Sequence, residues 1–429
     1  MTKPGYKTTE IGEIPEEWKV AKLKDISLIS AGNTAPQLKK YFEEGKYPFI
    51  RMQHLNELET QKYPLHYALV NDVAVSELKL KKFTKGAIIF PKSGESIRTE
   101  KRAILKNDSF VVNHLAIIEP TLQKISNLFL FFYLTTIKMG SYLTQTTMPS
   151  LNLSVIQSFI IPLPPLSEQQ KIAEILSTAD EAIQRVNDQL AQTERLKKGL
   201  MQPLLTKGIG HTKFKMTEIG EISEEWGIQS FSDSCSRITD GSHYSPQEVK
   251  GGTRLIATVF NMGNNKIITE TCKRISNKDY ELLVKNGCKP DKGDVLFSKD
   301  GTVGICFPYF QEDNLVLLSS IAILKPSDVL NSTFLSYFLK SENGMRQIIG
   351  LKTGSALKRI TLKNLKLVKI PMPSYKEQQK IAEILTTVDH KLERLRNKKA
   401  HLEELKRGLM GDLLTGKVRV KINTSKGEN

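Results

Sequence analysis

Two stretches of the chain repeat apolar residues with the period of an α-helix. In the first, Ile172, Leu176, Ala179, Ile183, Val186 and Leu190 follow one another at alternating spacings of four and three, with Leu196 and Leu200 beyond. In the second, the series is Ile381, Leu385, Val388, Leu392, Leu395, Leu402, Leu405 and Leu409. Such alternation is the seam of a coiled coil and predicts two long helices. Lys399 stands where the first series has Leu190, a polar seam residue of the kind that fixes register. Ser167, with Gln170 three residues on, is the expected N-cap of the first helix, and Pro162, Pro164 and Pro165 stop the strand before it. Elsewhere the apolar runs are short and bounded by Gly, Pro and Ser: AIIF (87–90), HLAII (114–118), DVLF (294–297) and SIAIL (320–324) predict strands. The denser segments 126–139 and 332–341 predict buried helices.

The two helical series belong to a larger internal repeat. Thr9-Glu10-Ile11-Gly12-Glu13-Ile14, leading to Trp18, returns as Thr217-Glu218-Ile219-Gly220-Glu221-Ile222, leading to Trp226. The run Glu168 to Leu176 is identical to Glu377 to Leu385, and KKGLMQPLLT (197–206) returns as KRGLMGDLLT (406–415). Between these blocks, segments 27–146 and 233–350 share only a skeleton, such as KGAIIFPKSG (85–94) against KGDVLFSKDG (292–301), with Gly32 near the place of Gly241 and Arg254 aligned near Arg51. One fold therefore carries two different surfaces. The repeated tryptophans read as core anchors.

Connectivity restricts the geometry. The order is domain, helix, domain, helix, so if the second helix packs on the first it runs back along it, and the pair is antiparallel about a pseudo-two-fold axis. About 35 residues at ~1.5 Å each make a rod of roughly 50 Å, longer than the ~34–36 Å of one DNA turn.

Charge narrows the partner. The formal net charge is +16 over 429 residues, which favours a polyanion, nucleic acid first. No apolar run approaches a membrane span and the N-terminus has no signal-peptide core, so a cytoplasmic location is expected. Cys235, Cys272, Cys288 and Cys306 form no C-x-x-C pair and read as buried free thiols. No phosphate-binding loop, H-E-x-x-H or Asn/Asp-Pro-Pro-aromatic run is present, and Lys299-Asp300 lacks an accompanying acidic cluster; no metal site and no catalytic residue is expected.

Several motifs resemble one family. The prolines before Ser167-Glu168-Gln169-Gln170-Lys171-Ile172-Ala173, with Gly199-Leu200-Met201 and Leu204-Leu205-Thr206, are similar to the helical regions of type I restriction-modification specificity subunits. Trp18 with Leu23 and Ile26, Ala31-Gly32-Asn33-Thr34, Tyr47-Pro48-Phe49-Ile50-Arg51 and Lys299-Asp300-Gly301-Thr302-Val303-Gly304 resemble that family's target recognition domains. The resemblance spans about residues 8–416. It implies an α+β chain with mixed α/β target recognition domains at 1–157 and 207–366, long spacer helices within 158–206 and 367–416, and a basic tail at 417–429. It also implies a non-catalytic subunit that reads a split double-stranded DNA target. Two methyltransferase subunits, carrying S-adenosylmethionine, would dock on it together with restriction/translocase subunits.

Base-edge readout requires polar side chains in loops, with Lys and Arg on phosphates. The candidates in the first domain are Arg51, Gln53, His54, Lys92, Ser93, Arg98, Lys101, Arg102, Gln145 and Thr146. In the second they are Asp240, Ser242, His243, Lys299, Asp300, Thr302, Lys352, Thr353, Ser355, Lys358 and Arg359. Gln169, Gln170, Lys171 and Glu174 recur as Gln378, Gln379, Lys380 and Glu383, mostly off the seam, and this repeated polar face is the candidate surface for a repeated protein partner. Two other classes stay open on sequence alone: a nuclease or methyltransferase with an unrecognised site, and a coiled-coil scaffold with protein-binding domains.

Overall fold

The structure is a computed structural model and describes residues 3–421 except 57, 59–61, 65, 144–148, 264 and 352–358. The chain divides into two compact units, Met1–Gln189 with Leu395–Asn429, and Leu190–Arg394. Each long helix, Leu166–Thr206 and Tyr375–Leu413, contributes one part to each unit.

The two units repeat one topology. The first opens with the hairpin Tyr6–Thr9/Gly12–Pro15, and strand Lys19–Lys22 pairs with Ile160–Leu163. Its four-stranded antiparallel sheet has the order Ser27–Ala31, Leu115–Pro120, Ile88–Pro91, Ala103–Ile104. A three-stranded sheet, Ala68–Val70, Tyr47–Ile50, Phe110–Val111, has its last pair parallel. In the second unit the hairpin is Phe214–Thr217/Gly220–Ser223, and the four strands are Cys235–Asp240, Ile321–Pro326, Val295–Ser298 and Cys306–Pro308. The three are Lys273–Ile275, Arg254–Ala257 and Leu315–Leu317, again parallel in the last pair. All four predicted strands are present. Ile88–Pro91 and Val295–Ser298 are buried throughout, which is why their sequences run apolar instead of alternating.

The predicted buried helices are Asn127–Thr136 and Ser332–Lys340, capped by the Ser126 hydroxyl and the Asn331 side-chain amide oxygen. Where the first long strand turns, Gly32 and Gly241 pass so close to the backbones of Val111 and Leu317 that a Cβ would overlap their carbonyls, so the shared glycine is a packing requirement.

Within each unit the two helix segments run antiparallel. In the first, Asp180 meets Lys406 at 2.5 Å, and Glu168, at the helix start, meets Arg419 beyond the other helix's end at 2.7 Å. In the second, Lys197 meets Asp389 at 2.6 Å and Glu377 receives His211 at 2.9 Å. Ile172, Leu176, Ile183 and Val186 are buried, as are Ile381, Leu385, Val388 and Leu392.

Two details differ from the sequence expectation. Leu196 and Leu405 leave the seam, at 50% and 49% exposed; the four-three spacing continued from Leu190 arrives at Thr193, which is buried, and Lys197. Ser167 does not cap the first helix, which already begins at Leu166. In the basic tail, the Arg419 guanidinium closes on the buried Glu168 carboxylate and on Glu17.

Candidate nucleic-acid interface

In the second unit, five loop segments meet at one edge of the sheets. Ser242 pairs with Leu318 and its N–H donates to Leu317 O, joining the loop after Asp240 to the turn before Ile321. The Ser320 hydroxyl accepts from the Val259 N–H, while the Ser320 carbonyl accepts from the Lys299 N–H. Asp300 pairs with Arg359. The Lys299 ammonium, largely buried, lies 3.2 Å from both Asp240 and Asp300, and His243 stands 3.5 Å from the same Asp240 carboxylate. The Ser242 hydroxyl is turned inward onto the Tyr244 carbonyl at 2.7 Å. Lys299 and Ser242 thus hold the loops together, leaving His243, Thr302 and Arg359 exposed and Asp300 half-buried at the rim. Lys352, Thr353, Ser355 and Lys358 lie outside the described residues.

The first unit builds the same edge from other residues. Lys92 N–H donates to the His114 carbonyl, Ser93 Oγ lies 2.9 Å from His114 Nδ1, and Ser93 pairs with Ser150. His114, which heads a predicted strand, had no loop context in the sequence to mark it. Four candidates, Arg102, Lys101, His54 and Arg51, are held by contacts within the unit. Arg102 is buried, with its guanidinium on the Glu100 carboxylate and on the Glu100 and Ile137 carbonyls. Burial pulls the Arg102 pKa down from its ordinary value, and the Glu100 carboxylate opposes the shift. Burial alone would raise the Glu100 carboxyl, but the Gly140 N–H, the Arg102 guanidinium and the Met139 N–H outweigh it and hold it below its usual value. Lys101 is spent on the Leu58 carbonyl. His54 is buried, and its Nδ1 accepts the Arg51 backbone N–H at 3.0 Å. Arg51 itself donates to the Pro36 carbonyl at 2.9 Å and lies over the Phe42 and Phe49 rings. Gln53, Arg98, Lys92 and Ser93 remain at the edge, the first two exposed and the last two half-buried; Gln145 and Thr146 lie outside the described residues.

Ladder register also moves one alignment. Val112 N–H donates to Ile50 O and Leu318 N–H to Ala257 O, so Ile50 matches Ala257 and Arg51 matches Thr258. Arg254 instead matches Tyr47. Arg254 bonds Asn277 and Tyr47 bonds Asp72, the first residues of the helices Asn277–Lys285 and Asp72–Glu77.

On the long helices, Gln170, Lys171, Glu174, Gln379, Lys380 and Glu383 are exposed. Gln169 and Gln378 are not available to a partner, at 1% and 0% exposed. Gln169 accepts from the Ser126 N–H and donates to the Pro164 carbonyl, and Gln378 does the same with Asn331 and Pro373. A buried amide must have such partners, so the repeat of these two residues reflects packing. Their neighbours Glu168 and Glu377 accept the indole N–H of Trp18 and Trp226 at 3.0 and 3.2 Å. Among the described residues no helix is long and apolar enough to cross a membrane, and no three His, Cys, Asp or Glu side chains are grouped to hold a metal.

Two copies of one α+β unit, alike in their helical frame and unlike in the polar loops at the sheet edge, define a duplicated recognition protein. The chain belongs to the type I restriction modification DNA specificity family, whose sequence profile matches residues 15–195 and 247–404. It is 31% identical over 97% of both chains to a Methanocaldococcus jannaschii protein assigned as the MjaX type I restriction enzyme specificity subunit. It is 28% identical to the MjaVIII specificity subunit of the same organism, over 95% of this chain and 94% of that one. In fold it is similar to the S subunit of a type I restriction-modification system from M. genitalium, with a TM-score of 0.60, 14% identity and coverage of 99% and 100%. A chain from a structural study of the assembly and conformational transition of the type I system gives 0.53 at 16% identity, covering 94% and 99%. Specificity subunits select the DNA target, work with the other restriction-modification subunits and have no catalytic activity of their own; this chain is one of them.

Proposed function

We propose that each unit reads one half of a bipartite DNA target through its own loop edge. In the first unit the readers are Gln53, Lys92, Ser93 and Arg98, and in the second His243, Asp300, Thr302 and Arg359. The observation that carries this reading is the contrast between a repeated frame and unrepeated loops: Trp18/Glu168 and Trp226/Glu377 recur atom for atom, whereas Ser93–His114 has no counterpart in the Asp240–Lys299–Asp300 cluster. Phosphate-directed attraction comes from the net charge of +16.

The exposed Gln170-Lys171-Glu174 face and its copy Gln379-Lys380-Glu383 dock two methyltransferase subunits. Those subunits bring S-adenosylmethionine, restriction/translocase subunits join them, and the assembly works in the cytoplasm. The test is to exchange segment 27–157 with that of a relative and sequence the methylated sites of the host genome. One half of the motif is expected to change while the other and the gap stay fixed. An unchanged motif would refute the reading.

A further inference from the structure

At its reading edge the second unit leaves one phenyl ring almost wholly bare, more so than the neighbouring Tyr244, which is 57% exposed. Phe260 is 92% exposed, and among the described residues no ring or cation contact involves it. It sits on the short 3-10 turn Val259–Asn261, and that turn is rigidly built. The Thr258 hydroxyl accepts from the Phe260 N–H, the Asn261 carboxamide oxygen accepts from the Thr258 N–H, and the Asn261 amide donates to the Thr271 carbonyl. On one side Val259 is tied to Ser320, which also holds Lys299, so the turn borders the Asp240–Lys299–Asp300 cluster.

The first unit repeats the bracing bond of this turn without its hydroxyl cap, since Arg51 stands in the place of Thr258, and the Gln53 carboxamide lies 3.5 Å from the His54 ring. His54 matches Asn261, and its ring nitrogen accepts the Arg51 N–H as Asn261 accepts that of Thr258. Just before the bracing residue, the side chain presented is Gln53 in one unit and Phe260 in the other, both exposed. One backbone device thus offers a carboxamide in one copy and a phenyl ring in the other. In the major groove a glutamine matches the donor and acceptor of adenine, and the apolar feature a phenyl ring can meet is the C5-methyl of thymine.

We propose that position 53/260 is a paired specificity position, and that Phe260 reads a thymine by covering its methyl group. This rests on the reading of the loop edge as the DNA interface. The turn does not need the ring for its own stability, because its bonds run through backbone and the Thr258 and Asn261 side chains.

The test uses the full chain assembled with its methyltransferase subunits and duplexes carrying the methylation motif of the source strain. Each thymine of the second half-site is replaced in turn by deoxyuridine, which removes the methyl group and nothing else. One replacement is expected to weaken wild-type binding roughly fourfold, the worth of one buried methyl group, and to have no effect on Phe260→Ala or Phe260→Gln. Indifference of the wild type at every thymine, or undiminished sensitivity in Phe260→Ala, overturns the proposal. So does a 2-aminopurine signal showing base unstacking that depends on Phe260, which would make it a wedge. If the wild-type assembly does not prefer the motif over scrambled duplex, the reading of the edge fails instead. Phe260→Leu, which keeps an apolar tip, should retain part of the sensitivity, and equal melting temperatures establish that the variants fold.

Discussion

At the residue scale, both units hang on a carboxylate at the start of a long helix. Glu168 is fully buried and accepts from Trp18 and from Arg419; Glu377 accepts from Trp226, the Ile209 N–H and His211. A buried carboxylate deprived of its cation is costly. Because the Arg419 side chain is itself partly exposed, Arg419→Ala should fall near or below the lower end of the ~3–5 kcal/mol seen for broken buried pairs, read as a lower melting temperature of the first unit. Glu168→Gln combined with Arg419→Ala should recover part of that loss. The Glu100 contacts give a pH signature. Its folded carboxyl titrates below the unfolded one, so its contribution is complete above the ordinary value of 4.5 and is lost as pH falls through the depressed folded value. The melting-temperature gap between wild type and Glu100→Gln should therefore be constant near neutrality and close progressively below about pH 4.5; a gap that widens in acid would contradict the assignment. The sequence disclosed the tryptophans as anchors through their repetition but not their acceptors, since a glutamate in a helical motif looks the same whether it faces solvent or an indole. Arg102, His54, Gln169 and Gln378 misled for that reason: polar residues in polar stretches had found backbone partners.

At the element scale, the strict four-three period was more informative than the identity of the residues on it. Followed from Leu190, it leads through Thr193 and Lys197 and, on the second helix, through Lys399 and Lys406; choosing the nearest leucines gave Leu196 and Leu405, which face solvent. Two of these lysines belong in the seam because they find carboxylates on the other helix, Lys197 on Asp389 and Lys406 on Asp180, and Lys399 lies 4.0 Å from Glu403 of its own helix. Lys62, largely buried, adds a second cation at 3.5 Å from Asp180, and the Tyr337 hydroxyl donates to Asp389 at the matching place. Truncation should separate the two kinds of leucine. Leu176→Ala or Leu385→Ala removes a fully buried side chain and should cost about 2–5 kcal/mol, whereas Leu196→Ala and Leu405→Ala should stay within about 0.5 kcal/mol in urea unfolding. The strands were legible because burial on both faces writes an uninterrupted apolar run. The short three-stranded sheets were not, because Ala68–Val70 and Phe110–Val111 are too brief to show any period.

At the scale of the whole molecule, both halves keep their frame while their reading loops differ, and this is what allowed the family to be recognised while leaving the target sequence unread. Frame residues are fixed by contacts that recur, such as Gly32 and Gly241 against the neighbouring backbone; on the proposed reading, loop residues answer to a DNA sequence that nothing in the chain spells out. On the proposed reading, the helices set the remaining variable, the gap between half-sites. An insertion in one helix alone shifts one side of an antiparallel seam against the other, and any insertion that is not a multiple of seven rotates apolar residues off the seam. Seven residues inserted after Val186, matched by seven after Lys399, keep both phases and add roughly 10 Å of helix at ~1.5 Å per residue, about three base pairs of duplex at ~3.4 Å each. The expected methylation motif has both halves unchanged and a gap longer by about that number. The single insertion should instead lower melting temperature and methylation together. If the paired insertion altered the bases within either half, the helices would be shaping the reading edges, and the division of labour between frame and loops would be wrong.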